Sequence, residues 1–466
     1  MSSSLPQTIG ELRVSGYHIL PVKEEMRKNL IQRIRNRETI FNGIVGYDAT
    51  VIPQVENAIL SGQDIILLGE RGQAKTRIAR SLISLLDEYT PAVEGCEIND
   101  NPFAPVCRAC HERLAQDGDA TPITWVSRDR RYGEKLATPD ITIADLIGEV
   151  DPIKVAEGRY LSDELTIHFG LIPRTNRGIF CINELPDLAE RIQVGLLNIL
   201  EERDVQIRGY KVRLPLDLYV VASANPEDYT NRGRIITPLK DRIGSQIRTH
   251  YPLTIDHEVD IMHAESTHFT DEGLDIRVPP FMSQILAEFT HLARRSPDIS
   301  QRSGVSVRVS ICNYENVVSN ALKRGIRNEE KEIVPRISDL QAVVASTLGK
   351  IEFETAGDAK EDRIIERLLQ GAILSVFKRY FNLSDLTDII TAFSQGTTFE
   401  AADNLPAVQY ARQTRSFTAL QNAIRQLHLW TTPAEIACAA EFVLEGLHLN
   451  RKLNKDRSNG HIQYHS

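Results

Sequence analysis

This sequence of 466 residues has no long apolar run and no excess of positive charge. No apolar segment approaches the roughly 20 residues that a membrane-spanning helix needs. Lys and Arg number 54 against 63 Asp and Glu, so the formal net charge is -9. A dedicated nucleic-acid-binding protein usually has a basic surface that displaces phosphate counterions. The composition therefore disfavours both a membrane span and a nucleic-acid partner.

Cysteine is also scarce, because six residues in a chain of this length do not suggest a disulfide framework. The first residues lack the basic-then-apolar pattern of a secretory signal, so we expect a cytoplasmic protein. The sequence does have the balance of a globular protein, with 42% hydrophobic and 25% charged residues. Its length predicts more than one domain.

Short apolar segments alternate with amphipathic helical segments between residues 41 and 252. The candidate strands are Asp64–Leu68, Ile123–Val126, Gly178–Ile182 and Leu218–Ala222. Nearly continuous apolar strands separated by helices predict an α/β fold with a parallel sheet that is covered on both faces.

Helical periodicity dominates the rest of the chain. Residues 1–40 are a helical lead-in to the α/β core at 41–252, and residues 253–356 and 357–466 form two further helical regions. Segments Ser338–Leu348, Asp362–Phe381 and Pro433–Leu447 have helical patterns. The polar tail Arg451–Ser466 is expected to fray.

The strongest motif follows the first candidate strand and opens a helix. It consists of Gly69, Glu70, Arg71, Gly72, Gln73, Ala74, Lys75 and Thr76. This is the phosphate-binding loop pattern, in which Lys75 reaches the β- and γ-phosphates of ATP and the Thr76 hydroxyl binds Mg²⁺. Ala74 stands where the pattern has its last glycine, so the loop must adopt a geometry that tolerates a β-carbon.

Polar residues also end two later strands. Asn183 and Glu184 follow Gly178–Ile182, and we predict that Glu184 polarises the hydrolytic water. Asn183 takes the place of the usual aspartate near Mg²⁺; its amide can hold a metal-bound water but adds no negative charge, so hydrolysis is expected to be slow. Asn225 ends the next strand, where side chains face the ligand crevice of open α/β sheets.

These residues resemble the AAA+ ATPases of the magnesium chelatase I-subunit and MoxR group over residues 43–320. The shared segments are Ile44–Gly46, the phosphate loop, Gly178–Leu188, Ser223–Pro226 and Leu239–Gly244. The resemblance implies a P-loop AAA+ parallel sheet core, a helical lid at 253–356 and an additional C-terminal helical region.

The resemblance also implies roles for single residues. Gly46 begins the adenine cradle, and Asn225 is the first sensor. Arg242 is the arginine finger that reaches a neighbouring subunit, although an Asp241–Arg242 pair alone is more often a surface ion pair. Arg308 is the second sensor, and Arg302 is the less favoured candidate for that role.

Two inserts of this group act on substrate, and segments near 144–168 and 204–214 resemble them. Within the second, Arg208, Tyr210 and Lys211 are candidates for partner contact, with a solvated hairpin tip as the alternative.

Cys96, Cys107 and Cys110 lie between the first core helix and the candidate strand at Ile123. The C-x-x-C spacing lets two thiolates bind one metal ion, with Cys96 as a third ligand of a structural Zn²⁺. The candidates for the fourth ligand are His111, Asp100 and Glu97. Unligated thiols or a redox-sensitive pair are together the favoured alternative.

The favoured function is an ATP-dependent motor that forms a homo-oligomeric ring, expected to be a hexamer, and remodels a protein partner. By resemblance this partner carries a von Willebrand A domain, and the role is of chaperone or cofactor-insertion type. The alternative is a nucleotide-gated scaffold with little ATP turnover. Inserting magnesium into a porphyrin is disfavoured, because fold and motor do not fix the substrate. An enhancer-binding transcriptional activator is disfavoured too, since no GAFTGA segment is present.

Overall fold

The structure of the protein is a computed structural model. It describes residues 5–151, 153, 166–201, 214–225, 233–267, 273–300, 303–354, 357–402, 404–458 and 461–466. The chain divides into two compact units, residues 1–250 and 251–466. Among the described residues, no helix combines the length and the apolar character needed to cross a bilayer.

The first unit contains nine strands in its described part. They are β1 (Ile65–Leu68), β2 (Tyr89–Val93), β3 (Ile123–Ser127), β4 (Tyr132–Leu136), β5 (Gly148–Val150), β6 (Ile167–Phe169), β7 (Gly178–Asn183), β8 (Leu218–Ala224) and β9 (Ser245–Arg248). Five of these form a parallel sheet in the order β4-β7-β8-β1-β9. Leu68 pairs with Ala224 and Ile182 pairs with Ala222, so the carboxyl ends of the central strands meet at one edge.

Helices surround this sheet. They are α1 (Ile9–Val14), α2 (Val22–Asn36), α3 (Val51–Leu60), α4 (Lys75–Ser81), α5 (Arg108–Asp117), α6 (Ile143–Leu146), α7 (Leu171–Arg174), α8 (Glu190–Glu201) and α9 (Thr237–Arg242). Side chains alternate between two apolar clusters along each central strand. In β7, Phe180 and Ile182 belong to one cluster, while Ile179 and Cys181 belong to the other. The predicted parallel sheet with both faces covered is confirmed.

The prediction was wrong in assigning one of the candidate strands to the parallel sheet. Residues 123–126 do lie in a strand, but β3 pairs antiparallel with β2 in a separate two-stranded sheet. The second core strand is β4, which pairs in parallel with β7. Because β4 is at the edge of the sheet, its sequence Tyr-Gly-Glu-Lys-Leu is half polar and lacks the apolar run that marks the central strands.

The second unit is mainly helical. Its helices are α10 (Ile255–Glu265), α11 (Pro280–Ala293), α12 (Arg308–Arg327), α13 (Val343–Leu348), α14 (Asp358–Tyr380), α15 (Thr387–Ser394), α16 (Ala407–Arg415), α17 (Thr418–Gln426) and α18 (Pro433–Leu449). The predicted helix at 338–348 begins with a 3₁₀ helix, Ile337–Ala342, ahead of α13. One hydrophobic cluster extends from Met262 to Tyr464, on both sides of residue 357, where the sequence suggested a boundary.

The tail at 451–466 does not fray as expected. Strands β13 (Asn454–Ser458) and β14 (His461–His465) pair with each other, and β14 pairs with β12 (Phe399–Ala402). Short strands β10 (Asp275–Ile276) and β11 (Glu332–Ile333) pair elsewhere in this unit. Ile462 and Tyr464 alternate with polar residues and are buried, and the Tyr464 hydroxyl donates to Glu445 Oε2 at 2.6 Å. Two alternating apolar side chains therefore anchor a segment that is polar in average composition.

Candidate functional site

The phosphate-loop motif lies between β1 and α4, and its side chains fasten the loop to β9. Gln73 Oε1 accepts from Thr249 Oγ1 at 2.7 Å and from the Glu70 backbone N–H at 3.1 Å. Gly69 sits against these groups, because a β-carbon there would lie 1.8 Å from Thr249 Oγ1 and 2.2 Å from Gln73 Oε1. Only glycine fits at this position.

Lys75 begins α4 and points back into the loop. Its side chain is almost fully buried, and its Nζ donates to the carbonyl oxygens of Gly69 and Glu70, the latter at 2.9 Å. A loop that gathers an ammonium group and backbone N–H groups is an anion site of the kind that binds nucleotide phosphates. Thr76 follows in the first turn of the same helix.

Ala74 adopts the left-handed conformation that favours glycine, with φ 55° and ψ 15°. The chain therefore keeps, at this one position, a conformation that suits glycine, and places an alanine β-carbon there. A left-handed conformation costs a non-glycine residue about 1–2 kcal/mol. Ala74 thus departs from the pattern in residue type but has a backbone conformation that glycine would adopt readily.

Replacing Ala74 with glycine should remove this strain. We expect the free energy of unfolding in urea to rise by up to about 1 kcal/mol, because glycine's larger unfolded-state entropy offsets part of the gain. Ala79→Gly, in the interior of α4, is the matched control and should lower the same quantity by about 1 kcal/mol. If both variants lower it, Ala74 is not strained.

Asn183 and Glu184 end β7 beside the loop, and Ser223 of β8 joins them. The Ser223 hydroxyl donates to Asn183 Oδ1 at 3.3 Å and accepts from the Glu184 backbone N–H at 3.2 Å. Glu184 itself has φ 56° and ψ 49°, a left-handed conformation that is uncommon for glutamate. Strained residues of this kind concentrate at functional sites.

Glu134 of β4 is a site residue that the sequence reasoning missed. Its Oε1 accepts from Asn183 Nδ2 at 2.6 Å, and its Oε2 accepts from Arg80 Nε at 2.8 Å. Partial burial raises the pKa of Glu134, but the hydrogen bond and charge of Arg80 outweigh it and hold the pKa below its usual value. A carboxylate thus stands next to the amide that replaces the usual aspartate.

This pairing predicts that Asn183→Asp harms the protein. Two carboxylates would then meet where an amide N–H now donates to Glu134, so one of them must take up a proton or move away. We expect the free energy of unfolding at about pH 8 to fall by about 1–3 kcal/mol. Because each carboxylate raises the other's pKa, the loss should shrink as the pH falls through those raised values toward about pH 5.

The double variant Asn183→Asp with Glu134→Gln is the control, since it restores one neutral and one charged partner. Urea unfolding curves at both pH values should show the double variant recovering most of the loss. If Asn183→Asp alone is as stable as the wild type, the side chains at positions 183 and 134 do not interact.

Asn225 and Gly46 lie at two further sides of the loop. Asn225 directly follows β8 and is buried, and the Gly69 N–H donates to the carbonyl oxygen of the preceding Ala224 at 3.1 Å. Next to Gly46, the Tyr47 hydroxyl shares its proton between the carbonyl oxygens of His250 (2.6 Å) and Gln73 (3.1 Å). Burial raises the pKa of Tyr47 to about 12, so the hydroxyl stays a donor.

The two predicted arginines belong to different units of the chain. Arg242 ends α9 with 34% of its side chain exposed; its NH1 donates to the Pro238 carbonyl oxygen at 3.2 Å and lies 3.9 Å from Asp241. Arg308 opens α12 in the second unit and is exposed. The finger and sensor roles of these two residues remain predictions.

Several candidates lie outside the described residues. These are Arg302, Pro226, residues 154–165 of the first insert, and Arg208, Tyr210 and Lys211 of the second. The described ends of the first insert form the antiparallel pair β5 and β6.

The three predicted cysteines come together with Asp100. The Sγ atoms of Cys96, Cys107 and Cys110 and a carboxylate oxygen of Asp100 all lie within 4.8 Å of one another. The other two candidates for a fourth ligand, Glu97 and His111, have exposed side chains.

A family model described as the sigma-54 interaction domain matches residues 156–245. Magnesium-chelatase subunit ChlI-2 of Arabidopsis thaliana is 26% identical over 245 residues, which cover 49% of this chain and 55% of that protein. The ChlI homolog of Methanocaldococcus jannaschii is 28% identical over 219 residues, covering 44% and 53%. The chain spans about half the length of these relatives.

Solved structures give looser matches. The BchI–BchD complex of magnesium chelatase has a TM-score of 0.36 and 19% identity, covering 71% of this chain and 98% of that chain. NtrX from Brucella abortus has a TM-score of 0.35 and 14% identity, covering 62% and 55%.

The sheet order, the phosphate loop and the sequence matches together support a fold of the P-loop AAA+ class. Within that class, the chain is similar to the I subunits of magnesium chelatase.

Proposed function

We propose that this protein is an AAA+ motor that hydrolyses ATP where subunits meet and uses the energy to remodel a protein partner. The strand order carries the proposal. Because β8 lies between β1 and β7, the phosphate loop, Asn225 and Glu184 follow three adjacent strands at one edge of the sheet. This is the crevice in which open α/β sheets bind their ligands.

Each residue then has a chemical task. Lys75 and the loop N–H groups would hold the β- and γ-phosphates. Glu184 would orient and polarise the attacking water, and Asn225 would help to hold that water. Arg242 of a neighbouring subunit would stabilise charge on the transferring phosphoryl group.

The residues present fit a magnesium ion. Mg²⁺ prefers oxygen ligands, and the Thr76 hydroxyl would bind it directly while Asn183 Oδ1 would hold one of its waters. When bound, the ion would neutralise charge on the phosphates. The Glu134 carboxylate lies 2.6 Å from Asn183 Nδ2 and is also paired with Arg80.

The assembly in this proposal is a homo-oligomeric ring, expected to be a hexamer. The exposed guanidinium of Arg242 supports a role across a subunit interface. From the resemblance to the magnesium chelatase I-subunit and MoxR group, we propose a protein partner with a von Willebrand A domain and a role in cofactor insertion or chaperoning. Activation of transcription is not proposed, because the matched segment contains no GAFTGA loop.

A nucleotide-gated scaffold is the second candidate function, and Asn183 favours it. Both polar ends of this amide already bond to protein groups, Glu134 and Ser223, and the amide brings no charge of its own. Such a protein would assemble on binding ATP and turn it over little.

The motor and the scaffold can be distinguished by measuring steady-state ATP hydrolysis with Mg²⁺ and recording particle size by light scattering in the same samples. The motor predicts turnover well above that of a Glu184→Gln variant and an ATP-dependent increase in mass. ATP-driven assembly with turnover no higher than that of the variant, also after a candidate partner is added, would replace the motor with the scaffold.

A further inference from the structure

Four side chains converge where the loop that follows β2 meets the first turn of α5. Cys107 and Cys110 are buried, Asp100 is fully buried, and Cys96 is half-buried. We infer that Cys96, Asp100, Cys107 and Cys110 form a structural zinc site that pins this loop. Zinc binding here does not depend on ATP turnover.

Distances between the thiols suit a shared metal ion. Cys96 Sγ and Cys107 Sγ are 4.0 Å apart. Two thiolates on a tetrahedral zinc ion, with Zn–S bonds of about 2.3 Å, lie about 3.8 Å apart. A disulfide would require about 2.05 Å. All pairs of candidate ligand atoms in the group are within 4.8 Å, which a single ion can bridge after small adjustments.

The Asp100 carboxylate gives evidence for a metal ion that is independent of the distances between the thiols. Its Oδ2 accepts from the backbone N–H groups of Val106 (3.1 Å) and Cys107 (2.9 Å), which fixes the carboxylate. Its Oδ1 is buried and has no hydrogen-bond partner among the described residues. An unpartnered carboxylate oxygen in a protein interior is costly, and a metal ion removes that cost. Oδ1 is therefore the fourth ligand.

Backbone N–H groups support two of the sulfur atoms. The N–H of Asp100 donates to Cys96 Sγ and the N–H of Cys110 donates to Cys107 Sγ, both at 3.4 Å. Such outer contacts orient metal ligands. Three thiolates select zinc over magnesium or calcium, and four protein ligands leave no open position, which is typical of a structural site.

The loop that zinc would hold also accepts hydrogen bonds from the two residues that precede β7. Asn176 Nδ2 donates to the Ile98 carbonyl oxygen at 3.0 Å, and Arg177 NH1 donates to that of Asn99 at 3.3 Å. Both residues lead directly into β7, which ends at Asn183. Zinc would thus fix the entry to the strand that carries Glu184.

Metal content of the reduced full-length protein tests the site. After expression with added Zn²⁺ and purification with a phosphine reductant, mass spectrometry of the metals should find about one zinc ion per chain. Cys110→Ser and Asp100→Asn should reduce retention at least about tenfold in a chelator competition. Cys312→Ser, a half-buried cysteine of α12 outside the group, is the matched control and should retain zinc.

Cobalt gives a readout that does not require the variants to fold. Wild-type protein loaded with Co²⁺ should show the absorption of tetrahedral thiolate coordination, and zinc should abolish it. A thiol-specific mercurial should release zinc in step with three reacted thiols. Folded wild type that takes up no zinc or cobalt, a Cys96–Cys107 disulfide in mass spectra, or full retention by folded Cys110→Ser would overturn the zinc site.

Discussion

Glu184→Gln should lower ATP turnover by a factor on the order of 100 or more while ATP binding persists. The change keeps the size of the side chain but removes the carboxylate that would polarise the water. The Glu184 backbone N–H bond to Ser223 remains, so the left-handed turn at this residue should be preserved. Turnover under saturating ATP, together with the affinity for a fluorescent ATP analogue, separates loss of chemistry from loss of binding.

Arg242→Ala should cause a comparable loss of turnover, and a mixing experiment shows whether it acts across an interface. Each of the two variants is inactive alone, but a mixed ring contains sites with Glu184 from one subunit and Arg242 from the next. Partial recovery of turnover on mixing is therefore expected. Arg35→Ala, at an exposed position on α2, is the control and should turn over ATP like the wild type. No recovery, in rings shown to be mixed, would show that Arg242 does not act across the interface.

Glu25→Ala should lower the free energy of unfolding of the first unit by about 3–5 kcal/mol. Glu25 of α2 and Arg131 are both buried, and their two hydrogen bonds measure 2.7 and 2.6 Å. Glu25 Oε1 also accepts from the Asp87 backbone N–H at 2.6 Å. Truncation would leave a buried guanidinium without its counter-charge, which costs far more than the bond itself contributes.

The matched control is an ion pair of similar length at the surface. Arg108 and Glu112 on α5 are 2.7 Å apart, and each side chain is 53% exposed. Glu112→Ala should change the free energy of unfolding by no more than about 0.5 kcal/mol. Urea unfolding followed by circular dichroism measures both. Equal losses in the two variants would show that burial does not govern the Glu25 effect.

The central strands could be predicted from sequence because they are buried on both faces. The predicted Gly178–Ile182 and Leu218–Ala222 differ from β7 and β8 only at their ends. Edge strands β4 and β9 have one open side and polar residues, so no apolar run marks them. Glu134 was missed for this reason, because its place at the site follows only from recognising β4 as a core strand.

The cysteine cluster shows a second feature that could not be fully predicted from the sequence, namely the identity of its fourth member. Spacing along the chain identified Cys96, Cys107 and Cys110 but left Asp100, Glu97 and His111 equal as a fourth member. All three lie within four residues of a cysteine, and only the turn of the loop decides which side chain points inward. Asp100 does so because two backbone N–H groups bind its other oxygen.

The contact between Glu134 and Asn183 also affects how nucleotide-binding sites of this kind can be identified in homologous sequences. The carboxylate beside Asn183 belongs to the neighbouring strand β4 and also pairs with Arg80, so a substitution at position 183 or 134 should depend on the residue at the other position. Among homologous chains, aspartate at position 183 should accompany an uncharged residue at position 134, and asparagine should accompany a carboxylate. A search that demands consecutive acidic residues would discard such chains, although a carboxylate from the neighbouring strand contacts the amide.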